Sequence, residues 1–165
     1  MPFGYQTAAT AIVNALTNAN TSTAAVNLSG GLSTTVSTII VNDPEIIAIR
    51  KLDFPAVIIR VNRMSTEFTE MGVDSSGYST RDRTVNYDIF AMYMREGMHT
   101  DHSTGVAALY RLAQNIEGVL EREQTLSNTA LWCRPVSTQF ADLPGQGGVS
   151  FKIARIDLEA RYFHR

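Results

Sequence analysis

The sequence is poor in the residues that build disulfide frameworks and zinc sites. Its 165 residues include one cysteine, Cys133, and three histidines, which excludes an internal disulfide and a cysteine-rich zinc site. No apolar run approaches the roughly 18 residues that a membrane-spanning helix needs. The N-terminus has neither the basic start nor the apolar block of a signal peptide. We therefore expect a protein made in the cytoplasm, with no membrane partner.

Charge of both signs is scarce and nearly balanced. The chain has 14 Lys and Arg against 16 Asp and Glu, so no basic excess points to tight recognition of nucleic acid. Only Lys51 and Lys152 are lysines, and the other twelve basic residues are arginines. Arginine suits protein interfaces, although codon bias in a GC-rich genome explains the excess equally well. With 44% hydrophobic residues, the chain is expected to fold as a single domain over residues 1–165.

Hydrophobic spacing predicts two main helices. The first extends from Gln6 to Asn18, and the second begins at Asp101 to Ser103 and ends near Gln124 to Ser127. Apolar residues at helical spacing form a stripe on each. In the second helix the stripe consists of Val106, Leu109, Tyr110, Ala113, Ile116 and Leu120.

Alternating apolar residues predict a long β-hairpin in the middle of the chain. Its strands are expected over Ala56 to Met71 and over Thr84 to Met94. The polar stretch Gly72 to Arg83 between them is typical of a mobile loop. The hairpin is therefore predicted to have an unusually large tip.

Two more strands are predicted in the C-terminal third, over Leu131 to Phe140 and Val149 to Phe163. Pro135 within the first of them indicates a sheet edge or a bulge. The order helix, strands, helix, strands predicts an α+β fold. We expect a mixed, mostly antiparallel sheet with the two helices packed on one face.

The stretch of residues 20–50 is rich in Ser, Thr and Gly and contains few charges. One interpretation is an N-terminal arm or hairpin extension that reaches over a neighbouring subunit, and the other is an ordinary long loop. Residues Thr35 to Val41 within it are predicted to form a strand.

No catalytic, cofactor or metal site stands out in the sequence, so we expect no enzyme and no cofactor. His99 and His102 bracket Asp101, but helix capping and exposure explain them better than a metal. Gly145 to Gly148 leads into a strand and lacks the lysine of a phosphate-binding loop. Cys133 is predicted to be a small core residue rather than a nucleophile.

Charged residues on the last strand are candidates for subunit contacts. Arg155, Asp157, Glu159 and Arg161 alternate with apolar residues, so all four face one side of the sheet. Such a row can pair with another copy of the chain, although a solvated outer face explains it equally well. The hairpin tip adds further candidates for an interface with a subunit or another partner protein, namely Asp74, Tyr78, Arg81, Asp82 and Arg83.

Several segments in this order resemble the tail-terminator proteins of long-tailed bacteriophages, the minor tail proteins of the lambda type. The resemblance lies in the first helix, in the Asp53-Phe54-Pro55-Ala56-Val57 strand opening and in the Thr66-Glu67-Phe68-Thr69-Glu70 continuation. It continues in Asn86-Tyr87-Asp88-Ile89-Phe90, in the helix Val106 to Glu121 and in the ending Asp157-Leu158-Glu159-Ala160-Arg161-Tyr162.

The resemblance implies a structural virion protein of the tail and the head–tail neck. Such proteins form a ring, usually a hexamer, that docks on the last ring of tail-tube protein, ends tube growth and meets the head connector. Genome DNA would pass through the lumen without specific binding.

The stretch of residues 20–50 is longer and richer in Ser and Thr than this family leads one to expect. A head-completion or stopper protein on the portal side is the alternative, and a small enzyme with unrecognised residues is a further one.

Overall fold

The computed structural model describes residues 5–21, 26–32, 35–42, 53–73, 79–95, 102–144 and 150–164. Over these residues the chain forms two helices and one five-stranded sheet, in the order α1 (Tyr5–Ala19), β1 (Thr38–Val41), β2 (Ala56–Val73), β3 (Ser79–Arg95), α2 (His102–Arg122), β4 (Trp132–Pro144) and β5 (Ser150–His164). The strand order across the sheet is β1-β2-β3-β5-β4. Strands β1 and β2 are parallel, and the other neighbours are antiparallel. The predicted α+β class and mixed, mostly antiparallel sheet are confirmed.

The main core joins both helices to alternate residues of the strands. Val85, Tyr87, Ile89 and Ala91 of β3 are all inaccessible to solvent, as their alternation predicts. They belong to one buried cluster with Ile12 of α1 and with residues of α2 and β5. A second, smaller cluster lies on the other side of the sheet, because its strand residues alternate with those of the first. It contains Ala56, Ile58, Met92, Phe151 and Ile153. Both sides of the sheet therefore bury apolar residues, but the side chains that α1 and α2 contribute all belong to the first cluster.

Both predicted helices are confirmed, with boundaries close to those predicted. In the apolar stripe of α2, Leu109, Ala113, Ile116 and Leu120 are buried, Val106 is half-buried and Tyr110 is 47% exposed. Although Tyr110 belongs to this stripe, its ring packs against Phe140 of β4, with ring centroids 4.6 Å apart.

The predicted boundaries of the hairpin tip, Gly72 and Arg83, are both wrong. Strand β2 continues to Val73 and β3 already begins at Ser79, so Arg81, Asp82 and Arg83 lie within a strand. Asp82 pairs with Glu67 of β2 on one side and with Phe163 of β5 on the other. The backbone hydrogen bonds of these two ladders stabilise polar residues in the strand, although no apolar alternation marks them.

Part of the described chain between residues 20 and 50 packs against the chain's own core. Leu28 is fully buried, and its carbonyl accepts a hydrogen bond from Asn115 of α2 at 2.9 Å. Asn20 donates to the carbonyl of Val36 at 2.9 Å, so the chain after α1 is held by side-chain hydrogen bonds. The predicted strand is shorter than expected, since β1 begins at Thr38. The remaining residues of this stretch lie outside the described ranges.

Pro135 indicated a sheet edge or a bulge, and β4 has both. It lies at an edge of the sheet, and its register with β5 shifts between Pro135 and Ser137. Cys133 at its start is 1% exposed, so the prediction of a small core residue is confirmed.

Two buried tyrosines and this cysteine predict a loss of stability at alkaline pH. The hydroxyls of Tyr87 and Tyr162 lie 3.2 Å apart in the core. Burial raises the pKa of Tyr162 to about 12 and that of Tyr87 further above its ordinary value. Burial and the nearby charge of Glu123 raise the pKa of Cys133 to about 11. The native chain therefore keeps protons that the unfolded chain loses from about pH 9 upward. Its free energy of unfolding is fully retained below that pH and falls as the pH rises toward 12.

Urea unfolding between pH 7 and 11 tests this expectation. The double variant Tyr87→Phe with Tyr162→Phe removes both hydroxyls together and leaves neither without its partner. Its stability is expected to fall less steeply above pH 10 than that of the unmodified chain. An identical slope in the two proteins would contradict the assignment.

Candidate functional site

A network of charged side chains is centred on Asp88, on the side of the sheet opposite Tyr87 and Ile89. We call this side the charged face, formed centrally by Arg60 of β2, Asp88 of β3 and Arg155 of β5. Asp88 has no accessible surface. Its carboxylate accepts hydrogen bonds from Arg60 Nη2 at 2.5 Å, Asn62 Nδ2 at 3.0 Å and Arg155 Nη2 at 2.9 Å. A buried carboxylate needs such partners, because removing it from water without them is costly.

The strand register brings these groups together. Arg60 is directly opposite Asp88 across the β2–β3 ladder, and Asp88 is directly opposite Asp157 across the β3–β5 ladder. Arg155 lies two residues before Asp157, so it reaches Asp88 along a diagonal. The Arg60 guanidinium also lies 5.2 Å from the ring centroid of Phe90. The apolar stems of the two arginines can cover the carboxylate while their charged ends stay partly hydrated.

The network extends across β5 to the edge strand β4. Asp157 accepts a hydrogen bond from the Ser137 hydroxyl at 2.5 Å, and its other oxygen lies 3.1 Å from Arg155 Nε without hydrogen-bond alignment. Glu159 pairs with Arg134 at 3.2 Å. A depression of about 380 Å³ lies over this part of the face. All three carboxylates, of Asp88, Asp157 and Glu159, are held by a cation or a hydroxyl, an arrangement that stabilises the sheet rather than supplying a free acid or base.

The outer part of β4 exposes apolar side chains at the edge of the sheet. Val136 is 60% exposed, Phe140 49% and Leu143 40%. Phe140 lines a groove of about 370 Å³ between α2 and β4 together with Tyr110, whereas Val136 lines the depression over the charged face. A long edge strand with exposed apolar residues is a ready template for association with another chain.

The structure brings together only part of the predicted interface set. Arg155, Asp157, Glu159 and Arg161 share one alternation of β5 and therefore one face, as predicted. They form no fully exposed row, since Arg155 is 37% exposed and Asp157 31%, and β5 has neighbours on both sides. Arg83 is half-buried in β3.

The remaining predicted candidates provide no described side-chain site. Arg81 and Asp82 are placed by their backbone in β3. Asp74 and Tyr78 lie outside the described residues, as do His99 and the Asp101 that His99 and His102 bracket. His102 is the first residue of α2.

Sequence reasoning missed the centre of the network and the apolar edge. The one signal for Asp88 was a single acid within the otherwise apolar run Tyr87 to Met94. Arg60 and Asn62 alternate with the apolar residues of β2 in the sequence, but their shared partner depends on a register that alternation does not specify. Val136 and Phe140 belong to a short apolar pattern that did not indicate which side is covered.

Within the described ranges, no group of three His, Cys, Asp or Glu side chains could hold a metal ion. None of the described helices combines the length and apolar character needed to cross a bilayer. The chain matches no protein-family model, and no curated protein matches it.

Proposed function

We propose that this chain is a structural virion protein, a tail terminator that forms a ring on the end of a phage tail tube. In this proposal the ring, a hexamer, stops tube polymerisation and joins the tail to the head connector. Genome DNA passes through its lumen without specific binding. The protein is assembled in the host cytoplasm and acts in the neck of the virion.

The observation that supports this proposal most directly is the apolar edge of β4. Val136, Phe140 and Leu143 are exposed on a strand that has a neighbour on one side only, among the described residues. Such an edge is costly to leave in water and favours a protein that works in an assembly. The carboxylates of the charged face add support, because their ion pairs and hydrogen bonds link neighbouring strands and so stabilise the sheet. The likeness in segment order to lambda-type minor tail proteins supplies the specific role.

Native mass spectrometry of the purified chain, alone and mixed with the tail-tube protein of the same phage, tests ring formation. The expected result is a closed oligomer, and electron microscopy is expected to place it at one end of the tube. Tube growth in vitro is expected to stop when the chain is added in excess over tube ends. A strict monomer that leaves tube length unchanged would overturn the proposal.

Deleting the gene distinguishes a terminator from the head-completion alternative. Loss of a terminator is expected to give overlong tails, because nothing ends polymerisation. Loss of a head-completion protein would give tails of normal length that stay unjoined to heads. Electron microscopy of lysates measures tail length, and tails of normal length would overturn the terminator role.

A further inference from the structure

The edge strand β4 exposes apolar side chains on both sides of the sheet. Phe140 lies directly opposite Ala154 of β5, a residue of the main core, so its side chain is on the side of the helices. Leu143 lies opposite Phe151, which belongs to the second cluster, so its side chain is on the other side. Phe140 is 49% exposed and Leu143 40%. The sheet therefore ends at β4 with uncovered apolar surface on each of its two sides.

Residues 137–143 of β4, which we call the edge segment, lack the usual protection against strand pairing. They lie between the register shift after Pro135 and the last residue of the strand, Pro144. None of them is buried. Asp142 is their one charged residue, and it pairs with Lys152 of the neighbouring strand. Proteins commonly protect an edge strand with free charges, prolines or a very short length, and the edge segment contains none of these.

The backbone of the edge segment has hydrogen-bonding groups on its outer side. In an antiparallel pair, alternate residues direct their N–H and C=O toward the partner strand, and the residues between them direct theirs away from it. Strand β4 has β5 on one side, and no strand of the described chain pairs with its other side. The edge segment extends over about 24 Å, which is enough for a further strand of ordinary length.

On the helix side, the edge segment borders the groove of about 370 Å³ between α2 and β4. Tyr110 and Phe140, each about half exposed, form an aromatic wall in this groove. The other polar groups nearby are already engaged, because the Thr138 hydroxyl donates a hydrogen bond to the Glu117 carboxylate. The aromatic wall is thus the part of the groove that lacks a contact, and it suits an apolar side chain.

An added strand is the occupant that fits these features together. A helix or a flat surface that covers Phe140 would leave Leu143 uncovered, because the two side chains lie on opposite sides of the sheet. A strand beside β4 places successive side chains on alternate sides, so it covers both residues. Its backbone also pairs with the outer groups of the edge segment. In such strand addition, backbone hydrogen bonds supply affinity, and pockets for alternate side chains supply specificity.

We propose that β4 binds an extended, uncharged segment of another protein as an additional strand, with one apolar side chain of that segment in the groove beside Tyr110 and Phe140. An uncharged segment fits because the one charge of the edge segment is already paired. The other edge of the described sheet is β1, whose four residues are too few to cover the edge segment of a second copy. The inference goes beyond the ring proposed above and does not depend on it.

A short synthetic peptide of alternating valine and threonine, with one central phenylalanine and a lysine at each end for solubility, is the probe. Fluorescence anisotropy of the labelled peptide measures its binding to the full chain. Two control peptides have the same side chains but are N-methylated on one or the other set of alternate residues. The set that faces β4 is expected to weaken binding at least about tenfold, and the other set leaves binding intact. Equal binding of all three peptides would overturn the strand pairing.

Two variants of the chain test whether the occupant covers both sides of the sheet. Phe140→Lys and Leu143→Lys are each expected to weaken binding of the probe peptide at least about tenfold. The matched control is Leu131→Lys, at a residue just before β4 that is 39% exposed, and it is expected to bind as the unmodified chain does. Circular dichroism checks folding, and Phe140→Thr or Leu143→Thr replaces a lysine variant that unfolds. Loss of binding in only one of the two variants would overturn the added strand, because the occupant would then lie on one side.

The remaining outcomes separate this inference from its alternatives and from the proposed function. A probe peptide that fails to bind at about 1 mM would overturn the pairing. An oligomer of the unmodified chain that both lysine variants lack would show that a second copy takes the edge, and would overturn the choice of partner. Tube length measures the terminator role independently. A chain that ends tube growth without binding the peptide would retain the proposed function and lose this inference.

Discussion

Replacing Arg60 and Arg155 together by methionine is expected to lower the free energy of unfolding by about 3–5 kcal/mol. The reason is that Asp88, which has no accessible surface, would lose both of its cationic partners and keep only the Asn62 amide. Methionine retains much of the apolar stem that covers the carboxylate, so the change is mainly one of charge. Urea unfolding followed by circular dichroism at neutral pH measures it.

Four further variants test the origin of this loss. Either arginine replaced alone is expected to cost about 1–2 kcal/mol, since the other still pairs with Asp88 and both are about a third exposed. Adding Asp88→Leu to the double variant is expected to restore much of the stability, because no buried charge is then left unpaired. Arg134→Met, which breaks only an exposed pair, is the control and is expected to change stability by less than about 0.5 kcal/mol. A double variant as stable as the unmodified chain would contradict the role given to Asp88.

Replacing Ile89 by alanine is expected to cost about 3–4 kcal/mol, from lost burial and from the cavity left behind. Ile89 lies in the central strand, directly opposite Ile59 of β2 and Ile156 of β5. All three side chains are inaccessible, and Ile116 of α2 belongs to the same cluster. With strands on both sides, the site has little freedom to collapse into the space.

A graded series checks that the cost comes from volume. Ile89→Val is expected to cost about 0.5–1.5 kcal/mol. Val136→Ala, which trims a side chain that is 60% exposed, is expected to stay within about 0.5 kcal/mol. Urea unfolding of all three variants gives the comparison. A cost below about 1 kcal/mol for Ile89→Ala would contradict the placement of Ile89 at the centre of the core.

The elements that could be predicted from the sequence are those in which burial imposes a period. The first helix was expected from Gln6 to Asn18 and extends from Tyr5 to Ala19. The alternation of Val85 with Tyr87 predicted which side of β3 is buried. In both cases one side of the element lies against a core, so composition and geometry agree.

The errors arise where local composition is not governed by burial. The polar residues of Gly72 to Arg83 indicated a loop, but backbone pairing with β2 and β5 extends the strands through most of them. Tyr110 fits the helical stripe, yet its side chain is 47% exposed and contacts Phe140 of the edge strand. Apolar spacing does not indicate how far the covered surface extends.

The candidate site was the least predictable part, because its members come from different strands. The shared alternation of Arg155 and Asp157 was expected. Their contact with Asp88, and that of Asp88 with Arg60, depends on how β2, β3 and β5 align. That alignment follows from turns and long-range packing, which a single sequence does not reveal directly.

The contact of Asp88 with side chains of both neighbouring strands restricts the register in which β2, β3 and β5 can pair. A slip of β3 by one residue would turn Asp88 toward the apolar cluster and move Tyr87 or Ile89 to the arginines. An acid in the wrong layer is penalised far more strongly than a misplaced methyl group. Asp88 therefore disfavours sheets with a shifted strand register, which apolar residues alone would permit at a lower cost.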